Sequence, residues 1–189
     1  LYKMRKVISF SLWGSNPKYT VGAIRNCELA SAVYPDWDCW FYIGKNVPKD
    51  IVDQLTPYPN CRIIDKSNEN CDWTGMFWRF ESACDESVDI SIFRDTDSRL
   101  SMREKYAVDE WLLSSKNVHI MRDHPFHNFP ILGGMWGIKK SGGYDLKSML
   151  DRFEKKDNYG IDYNFLANSI YKDSLARDGT DTLSNIQYL

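Results

Sequence analysis

Two carboxylates one residue apart, Asp95 and Asp97, are the residues whose types and spacing most directly suggest chemistry. They follow residues 88–93, where apolar side chains recur at a spacing of two, as in a largely buried strand. In an extended chain, side chains at this spacing project to the same side. Mg²⁺ and Mn²⁺ are usually bound by one or two carboxylates together with substrate phosphates. The pattern therefore predicts a metal–diphosphate site at the carboxyl end of a central strand, where open α/β sheets bind ligands.

The tripeptide Asp95-Thr96-Asp97 also has a purely structural interpretation. Aspartate, threonine and serine are ordinary turn and helix-capping residues. Short motifs of this kind also arise often by chance. The functional hypothesis therefore depends on the residues that accompany the motif.

Two of these companions are a glycine pair and an isolated arginine. Gly133 and Gly134 interrupt the strand-like residues 131–138, at a cost in packing and chain entropy. They indicate a β-bulge, a ligand that approaches the backbone closely, or both. Arg79 lies among apolar residues. A partly buried arginine needs an anion, which is either a structural carboxylate or a diphosphate.

Asp162 and the histidines are the remaining candidates. Asp162 precedes an apolar helical pattern. Its carboxylate either favours the helix start through the dipole or serves as a general base toward an acceptor hydroxyl. His119 alternates with apolar residues, which predicts a core or edge position in a strand. His124 and His127 lie in a polar loop with prolines, where either could contact substrate or metal.

The elements that must position these residues alternate between strand and helix in the first half of the chain. Strands are predicted at residues 6–12, 39–43, 61–64 and 88–93, and helices at 20–33, 48–55 and 74–84. The second half contains a helix at 101–113 with a capping box, a short strand at 118–121, and helices at 144–153 and 161–171. This order predicts an α/β fold with a mainly parallel central sheet, helices on both faces and a small second sheet.

Composition places limits on the type of protein. With 189 residues, 43% of them hydrophobic and 26% charged, one globular domain over residues 1–189 is expected, either alone or as a module of a longer protein. The net charge of −2 offers no electrostatic case for binding nucleic acid. No stretch is long enough for a transmembrane helix. Five cysteines without metal-site spacing predict reduced thiols and a cytoplasmic location, with a disulfide as the alternative.

Five pieces of the sequence, in order, resemble the nucleotide-sugar-dependent glycosyltransferases of the GT-A fold. They are Ser11-Leu12-Trp13-Gly14, Arg79, Phe93-Arg94-Asp95-Thr96-Asp97, Ile131-Leu132-Gly133-Gly134-Met135-Trp136-Gly137 and Tyr159-Gly160-Ile161-Asp162-Tyr163. More closely, residues 94–99 and 121–125 are similar to the small glycosyltransferase domain encoded by chlorella viruses and its bacterial relatives. The likeness extends over about residues 6–170.

The resemblance implies a role for each piece. It implies Mn²⁺ or Mg²⁺ as cofactor, with Asp95, Asp97 and, in place of a histidine nearer the C-terminus, His127 as metal ligands, unless water or phosphate completes the shell. It implies a UDP-sugar donor, a hexose or deoxyhexose to be transferred, and a glycan acceptor. Asp162 is the first candidate for the base of an inverting reaction and Asp123 the second, whereas a retaining reaction needs none. The expected donor site comprises Ser11, Leu12, Trp13, Gly14, Arg79, Asp95, Thr96, His124, Gly133 and Gly134.

Two other classes of protein compete with this interpretation. A metal-dependent phosphohydrolase or nucleotidyltransferase could use Asp95 and Asp97 as well, although a nucleotidyltransferase usually has a glycine-rich loop with a basic residue after its first strand. Residues 13–17 contain one glycine and no basic residue. A non-catalytic carbohydrate-binding module would explain the 14% aromatic content, but not the paired carboxylates. A monomer is the default expectation for the assembly.

Overall fold

Seven strands form a single sheet in the part of the chain that the computed structural model describes, residues 2–177 and the backbone of residues 183–187. The spatial order is β3-β2-β1-β4-β6-β5-β7. Strands β1 to β4 run parallel, β6 is antiparallel to both of its neighbours, and β7 is parallel to β5. The strands are β1 (Lys6–Leu12), β2 (Asp38–Ile43), β3 (Cys61–Asp65), β4 (Ile90–Arg94), β5 (Val118–Arg122), β6 (Met135–Lys139) and β7 (Leu183–Gln187).

Helices connect these strands and cover both faces of the sheet. They are α1 (Pro17–Val33), α2 (Lys49–Leu55), a 3₁₀ helix (Trp73–Cys84), α3 (Met102–Leu113), a short 3₁₀ turn (Lys140–Gly142), α4 (Leu146–Arg152), and α5 (Ile161–Leu166), which continues through a π-helical turn (Ala167–Tyr171) into α6 (Lys172–Ala176). Among the described residues, no helix combines the length and the apolar character that crossing a membrane requires.

Both faces of the sheet are packed because neighbouring residues of one strand point to opposite sides. In β4, Ile92 joins the core beneath α1, whereas Phe93 joins an aromatic core with Phe80 and Trp136 on the other face. All residues of β4 are buried. The predicted α/β fold with a mainly parallel sheet between helices is confirmed, and β4 is its central strand.

Four expectations about individual elements need correction. The strands of the second half do not form a small second sheet, because β6 pairs with β4 through the register Phe93–Trp136 and so extends the same sheet. The helix predicted from Thr20 begins at Pro17, where the Asn16 side chain caps it by accepting from the Lys18 backbone N–H at 3.0 Å. The aromatic-rich helix predicted at 74–84 is a 3₁₀ helix. Residues 131–134 lie before β6 rather than within it.

The predicted core position of His119 and the predicted reduced thiols agree with the structure. His119 in β5 is fully buried, stacks on Trp111 at 5.2 Å between ring centroids, and has no partner at either ring nitrogen. Burial lowers the pKa of His119 to about 3, so the imidazole is neutral at physiological pH. The cysteines at 27, 39, 61, 71 and 84 are free thiols, and the alternative of a disulfide is not realised.

Candidate active site

A cavity of about 190 Å³ opens at the carboxyl ends of β1 and β4, which are adjacent parallel strands. This edge of the sheet is where an α/β fold is expected to bind ligands. The cavity is lined by Ser11, Leu12, Trp13, Tyr19, Trp73, Met76, Arg79, Asp95, Thr96, Asp97, Tyr159 and Tyr163. It therefore brings together the first-strand loop, Arg79 and the acidic tripeptide, which lie far apart in the sequence.

The turn that carries Asp95 and Asp97 is held from two sides. Arg94, the last residue of β4, is buried and its Nε donates to Glu104 Oε2 at 2.5 Å, while Glu104 also completes the capping box of α3. On the other side, Asn26 of α1 donates to the Ser98 carbonyl at 2.8 Å and accepts from the Leu100 N–H at 3.0 Å. These contacts to two helices place the acidic turn rigidly at the end of the strand.

Arg79 is the centre of the site. It projects from the 3₁₀ helix, whose backbone is anchored to β1 because Ser9 Oγ donates to the Arg79 carbonyl at 2.6 Å and Ser11 Oγ accepts from the Arg79 N–H at 3.0 Å. The guanidinium is only 3% exposed and bridges two carboxylates. Its Nη1 is 2.5 Å from Asp95 Oδ1, and its Nη2 is 3.1 Å from Asp162 Oδ2.

Burial affects the protonation of Arg79 and of Asp162 differently. Burial disfavours the guanidinium cation, but Asp95 and Asp162 outweigh it and raise the pKa of Arg79, which stays charged. Burial raises the pKa of Asp162, and Arg79 only partly opposes the shift. Asp162 is fully buried at the start of α5, and its Oδ1 and Arg79 Nε both lack hydrogen-bond partners. A buried, imperfectly paired charge network of this kind is typical of functional sites.

The two glycines make room for the two carboxylates of this bridge. A Cβ at Gly134 would lie within 3.0 Å of all three carboxyl atoms of Asp95. A Cβ at Gly133 would lie 2.5 Å from Arg79 Nη2 and would overlap Asp162 Oδ2. The predicted β-bulge is wrong, because the pair lies in the turn before β6, where the Met135 N–H donates to the Leu132 carbonyl at 3.1 Å. The side chains that approach the backbone there are the protein's own Asp95 and Asp162.

Asp97 faces a cation of the protein. Lys18 Nζ, in the first turn of α1, lies 2.9 Å from Asp97 Oδ2. Across residues 2–177, no group of three or more His, Cys, Asp or Glu side chains is arranged to hold a metal ion, so the expected set of Asp95, Asp97 and His127 is not assembled. Two carboxylates that open into one cavity still fit Mg²⁺ or Mn²⁺, because these ions often take only one or two protein carboxylates and complete their shells with phosphates and water.

The loop after β5 forms a separate cluster. His127 Nδ1 lies 2.9 Å from Asp123 Oδ1, and Asp123 also pairs with Arg103 of α3. The ring of His124 is 5.4 Å from that of His127. None of Asp123, His124 and His127 lines the described cavity. Gly14, Gly133, Gly134 and Asp162 are also outside the lining. Gly14, with a positive φ of 79°, forms the turn after β1, where its N–H donates to Asn46 Oδ1 at 2.7 Å.

Sequence reasoning did not identify five residues of the cavity: Tyr19, Trp73, Met76, Tyr159 and Tyr163. Four of them are aromatic. The available signal was the high aromatic content, together with aromatic residues directly at the starts of the 3₁₀ helix and α5. That signal is weak, because aromatic residues fill cores as readily as they line sites.

Comparisons with known proteins show similarity at the level of the fold. No protein-family model matches the sequence, and no curated protein matches it. A synthase of 4-diphosphocytidyl-2C-methyl-D-erythritol from Anaerococcus prevotii is 11% identical with a TM-score of 0.57, over 98% of this chain and 90% of that one. Glucosyl-3-phosphoglycerate synthase from Mycobacterium tuberculosis, in complex with Mn²⁺, UDP-glucose and phosphoglyceric acid, is 13% identical with a TM-score of 0.57, over 97% and 69%.

A mannosyltransferase from Pyrobaculum calidifontis, in complex with GDP-mannose and Mn²⁺, has a TM-score of 0.63 at 11% identity. The match covers 98% of this chain but 55% of that one, so the chain spans about half the length of this neighbour. At identities this low, the similarity shows a shared fold and nothing about activity. The chain therefore shares the α/β fold of these GT-A-like neighbours.

Proposed function

We propose that this chain is a metal-dependent glycosyltransferase, which transfers a hexose or deoxyhexose from a UDP-sugar to a hydroxyl group of a glycan. The observation that carries the proposal is the bridge that Arg79 makes between Asp95 and the buried Asp162. Arg79 and Asp95 line one cavity with Asp97 at the carboxyl edge of the sheet. The fold is shared with sugar-nucleotide enzymes. The likeness of residues 94–99 and 121–125 to the small domain of chlorella viruses supports the same reaction.

The charges around the cavity support a requirement for metal. Asp95, Asp97 and Asp162 face two cations, Arg79 and Lys18, and both cations are already paired with these carboxylates. A nucleoside diphosphate would add further negative charge to this site, which disfavours binding unless a cation accompanies it. Asp95 and Asp97 would hold that cation. When bound, a divalent ion neutralises the charge that develops on the leaving diphosphate.

Other residues that line the cavity would contact the nucleotide sugar or order the site. Ser11, Leu12 and Trp13 would contact the nucleotide, and Thr96 would order the turn between the two carboxylates. The cavity of about 190 Å³ is smaller than the roughly 300–1,000 Å³ of typical ligand pockets. A nucleotide sugar would therefore be only partly enclosed, and its outer part would lie against the rim.

For an inverting reaction, Asp162 is our proposed base. Burial raises the pKa of Asp162 toward the working range, and its Oδ1 has no other partner. An acceptor hydroxyl would reach that oxygen only after a local opening, because the side chain is fully buried. Asp162 does not line the cavity but is paired with Arg79, which does. Asp123, the second candidate, is paired instead with Arg103 and His127, neither of which lines the cavity.

A nucleotidyltransferase is the second candidate function, favoured by the similarity to the Anaerococcus prevotii enzyme over 90% of that chain. Such enzymes usually have a glycine-rich, basic loop after the first strand. Here the loop contains only Gly14, and the nearest basic residue, Lys18, is occupied by Asp97. This arrangement favours the glycosyltransferase.

The first test is a calorimetric titration of UDP with Mn²⁺ and then with EDTA. We expect wild-type binding to require the metal and Asp97→Asn to abolish it. Asp109→Asn is the matched control, because Asp109 is also paired with a lysine but lies on α3, outside the cavity. UDP binding that ignores both the metal and Asp97 would contradict the proposal. Tighter binding of CTP than of UDP-sugars, with release of pyrophosphate, would favour the nucleotidyltransferase instead.

A further inference from the structure

Aromatic rings continue from the mouth of the cavity outward along the surface. We call Trp73, Tyr159, Tyr163 and Phe129 the aromatic strip. Trp73 contacts Trp13 inside the cavity at 6.1 Å between ring centroids. The successive steps along the strip are 5.1 Å from Trp73 to Tyr159, 6.4 Å to Tyr163 and 4.8 Å to Phe129. The strip therefore joins the cavity to the loop after β5 without a gap in ring contacts.

Three of the four rings are exposed, whereas most large apolar side chains among the described residues are buried. Tyr159 is 71% exposed, Phe129 45% and Trp73 38%. Contiguous exposed apolar surface next to a cavity typically marks a binding site. Aromatic rings suit a carbohydrate, because the C–H face of a pyranose packs on a ring while its hydroxyl groups stay in water.

The strip is also held in place by its backbone. Arg122 donates from Nε to the Phe129 carbonyl at 3.0 Å and contacts the Pro130 carbonyl as well. The Trp73 N–H donates to Asp157 Oδ1 at 2.9 Å. Gly160, with a φ of 78°, makes the turn that sets Tyr159 and Tyr163 on either side of the start of α5. A backbone held in this way loses little freedom when a ligand binds.

The charge of the surroundings favours a neutral ligand. Phosphorylated or carboxylated acceptors are bound by lysine and arginine side chains. Both cations at the described cavity, Arg79 and Lys18, are engaged with carboxylates, and Arg122 at the far end of the strip is engaged with backbone carbonyls. The strip thus offers apolar faces and hydroxyl groups rather than positive charge.

We propose that the aromatic strip binds the acceptor, and that the acceptor is an extended neutral glycan whose sugar units beyond the reacting one stack on Tyr159 and Phe129. The inference rests on the proposed function, since it uses the same cavity for the donor. It adds that affinity for the acceptor rises with chain length, because each further sugar unit meets another ring. A phosphorylated three-carbon acid, as bound by the Mycobacterium tuberculosis neighbour, would not bind here.

The experiment measures glycan and nucleotide binding separately on the same protein. Glucose oligomers from the monosaccharide to the tetrasaccharide, in the α1,4 and the β1,4 series, are titrated against tryptophan fluorescence and by saturation-transfer NMR. Phosphoglyceric acid is the charged comparison, and UDP with Mn²⁺ is titrated by calorimetry. The variants are Phe129→Ala, Tyr159→Ala and Tyr159→Phe. Tyr106→Ala is the control, because Tyr106 is 65% exposed, close to the 71% of Tyr159, but lies on α3.

We expect affinity to increase with oligomer length in at least one series. Phe129→Ala and Tyr159→Ala should each weaken the longer oligomers by about two- to tenfold, whereas Tyr159→Phe, which keeps the ring, and Tyr106→Ala should not. UDP binding with no glycan binding, or glycan binding that ignores the ring deletions, would overturn the inference and leave the proposed function standing. Glycan binding on the strip without UDP binding would refute the transferase and, with it, the acceptor role.

Discussion

Alanine substitutions at Gly133 and Gly134 should have different effects: Gly133→Ala should mainly reduce the stability of the protein, and Gly134→Ala should mainly weaken nucleotide binding. The two positions are adjacent, and a methyl group at either would overlap a carboxylate of the Arg79 bridge. The consequences differ because the carboxylate of Asp95 has room to move and that of Asp162 does not. Asp162 is fully buried, whereas the side chain of Asp95 is 43% exposed and can rotate into solvent.

At Gly133, neither Asp162 nor Arg79 can move away, so the variant combines overpacking with disruption of a buried ion pair. Overpacking costs about 1–3 kcal/mol and breaking a buried pair about 3–5 kcal/mol. Taking the lower end of both ranges, we expect Gly133→Ala to lower the free energy of unfolding by about 4 kcal/mol. With a typical urea m-value of about 1–3 kcal/mol/M, the midpoint of unfolding should fall by about 1–4 M.

At Gly134, Asp95 can give way, so the expected loss of stability is about 1 kcal/mol. The rotated carboxylate no longer meets Arg79 or the proposed metal, and the affinity for UDP with Mn²⁺ should fall at least about tenfold. Gly143→Ala is the control, because a methyl group there meets open space and a φ of 69° costs only backbone strain, about 1 kcal/mol.

Urea unfolding followed by circular dichroism and calorimetric titration of UDP measure the two effects on the same samples. The reasoning would be refuted if Gly134→Ala bound UDP with Mn²⁺ as tightly as the wild type. It would also be refuted if Gly133→Ala lost no more stability than Gly143→Ala.

Three further predictions follow from single residues. Arg79→Met should destabilise the protein by about 3–5 kcal/mol at neutral pH in urea unfolding, and the loss should shrink on acidification, because burial raises the pKa of Asp162 and protonation removes its need for a counter-charge. Burial lowers the pKa of His119 from 6.5 to about 3. Between about pH 6.5 and pH 3 the imidazole is therefore protonated in the unfolded chain but neutral in the folded protein. As the pH falls through that range, His119 should lower the free energy of unfolding by about 1.4 kcal/mol per pH unit. The His119→Phe variant should lack this pH dependence. Lys18→Met should tighten Mn²⁺ binding measured by electron paramagnetic resonance without nucleotide, by less than about fivefold, because the lysine competes for Asp97 through an exposed pair.

Much of the fold was predictable from local patterns. The strand–helix alternation of the first half, the strand Lys6–Leu12 and the capping box of Ser101 and Glu104 all agree with the structure. These features depend on residues close together in the sequence, and side-chain periodicity and capping report such contacts directly. The acidic pair after β4 and the isolated Arg79 were recognisable for the same reason.

Tertiary structure alone decided which of these residues meet. The sequence indicated that Arg79 needs an anion and that Gly133 and Gly134 are unusual, but not that Arg79 bridges Asp95 and Asp162 while the glycines make room for both carboxylates. It placed His124, His127 and Asp123 among the site candidates, whereas the fold holds them in a loop outside the cavity. It also missed Trp73 and Tyr159. Such pairings depend on strand order and on the antiparallel placement of β6 beside β4, which contacts between distant residues determine and local periodicity does not encode.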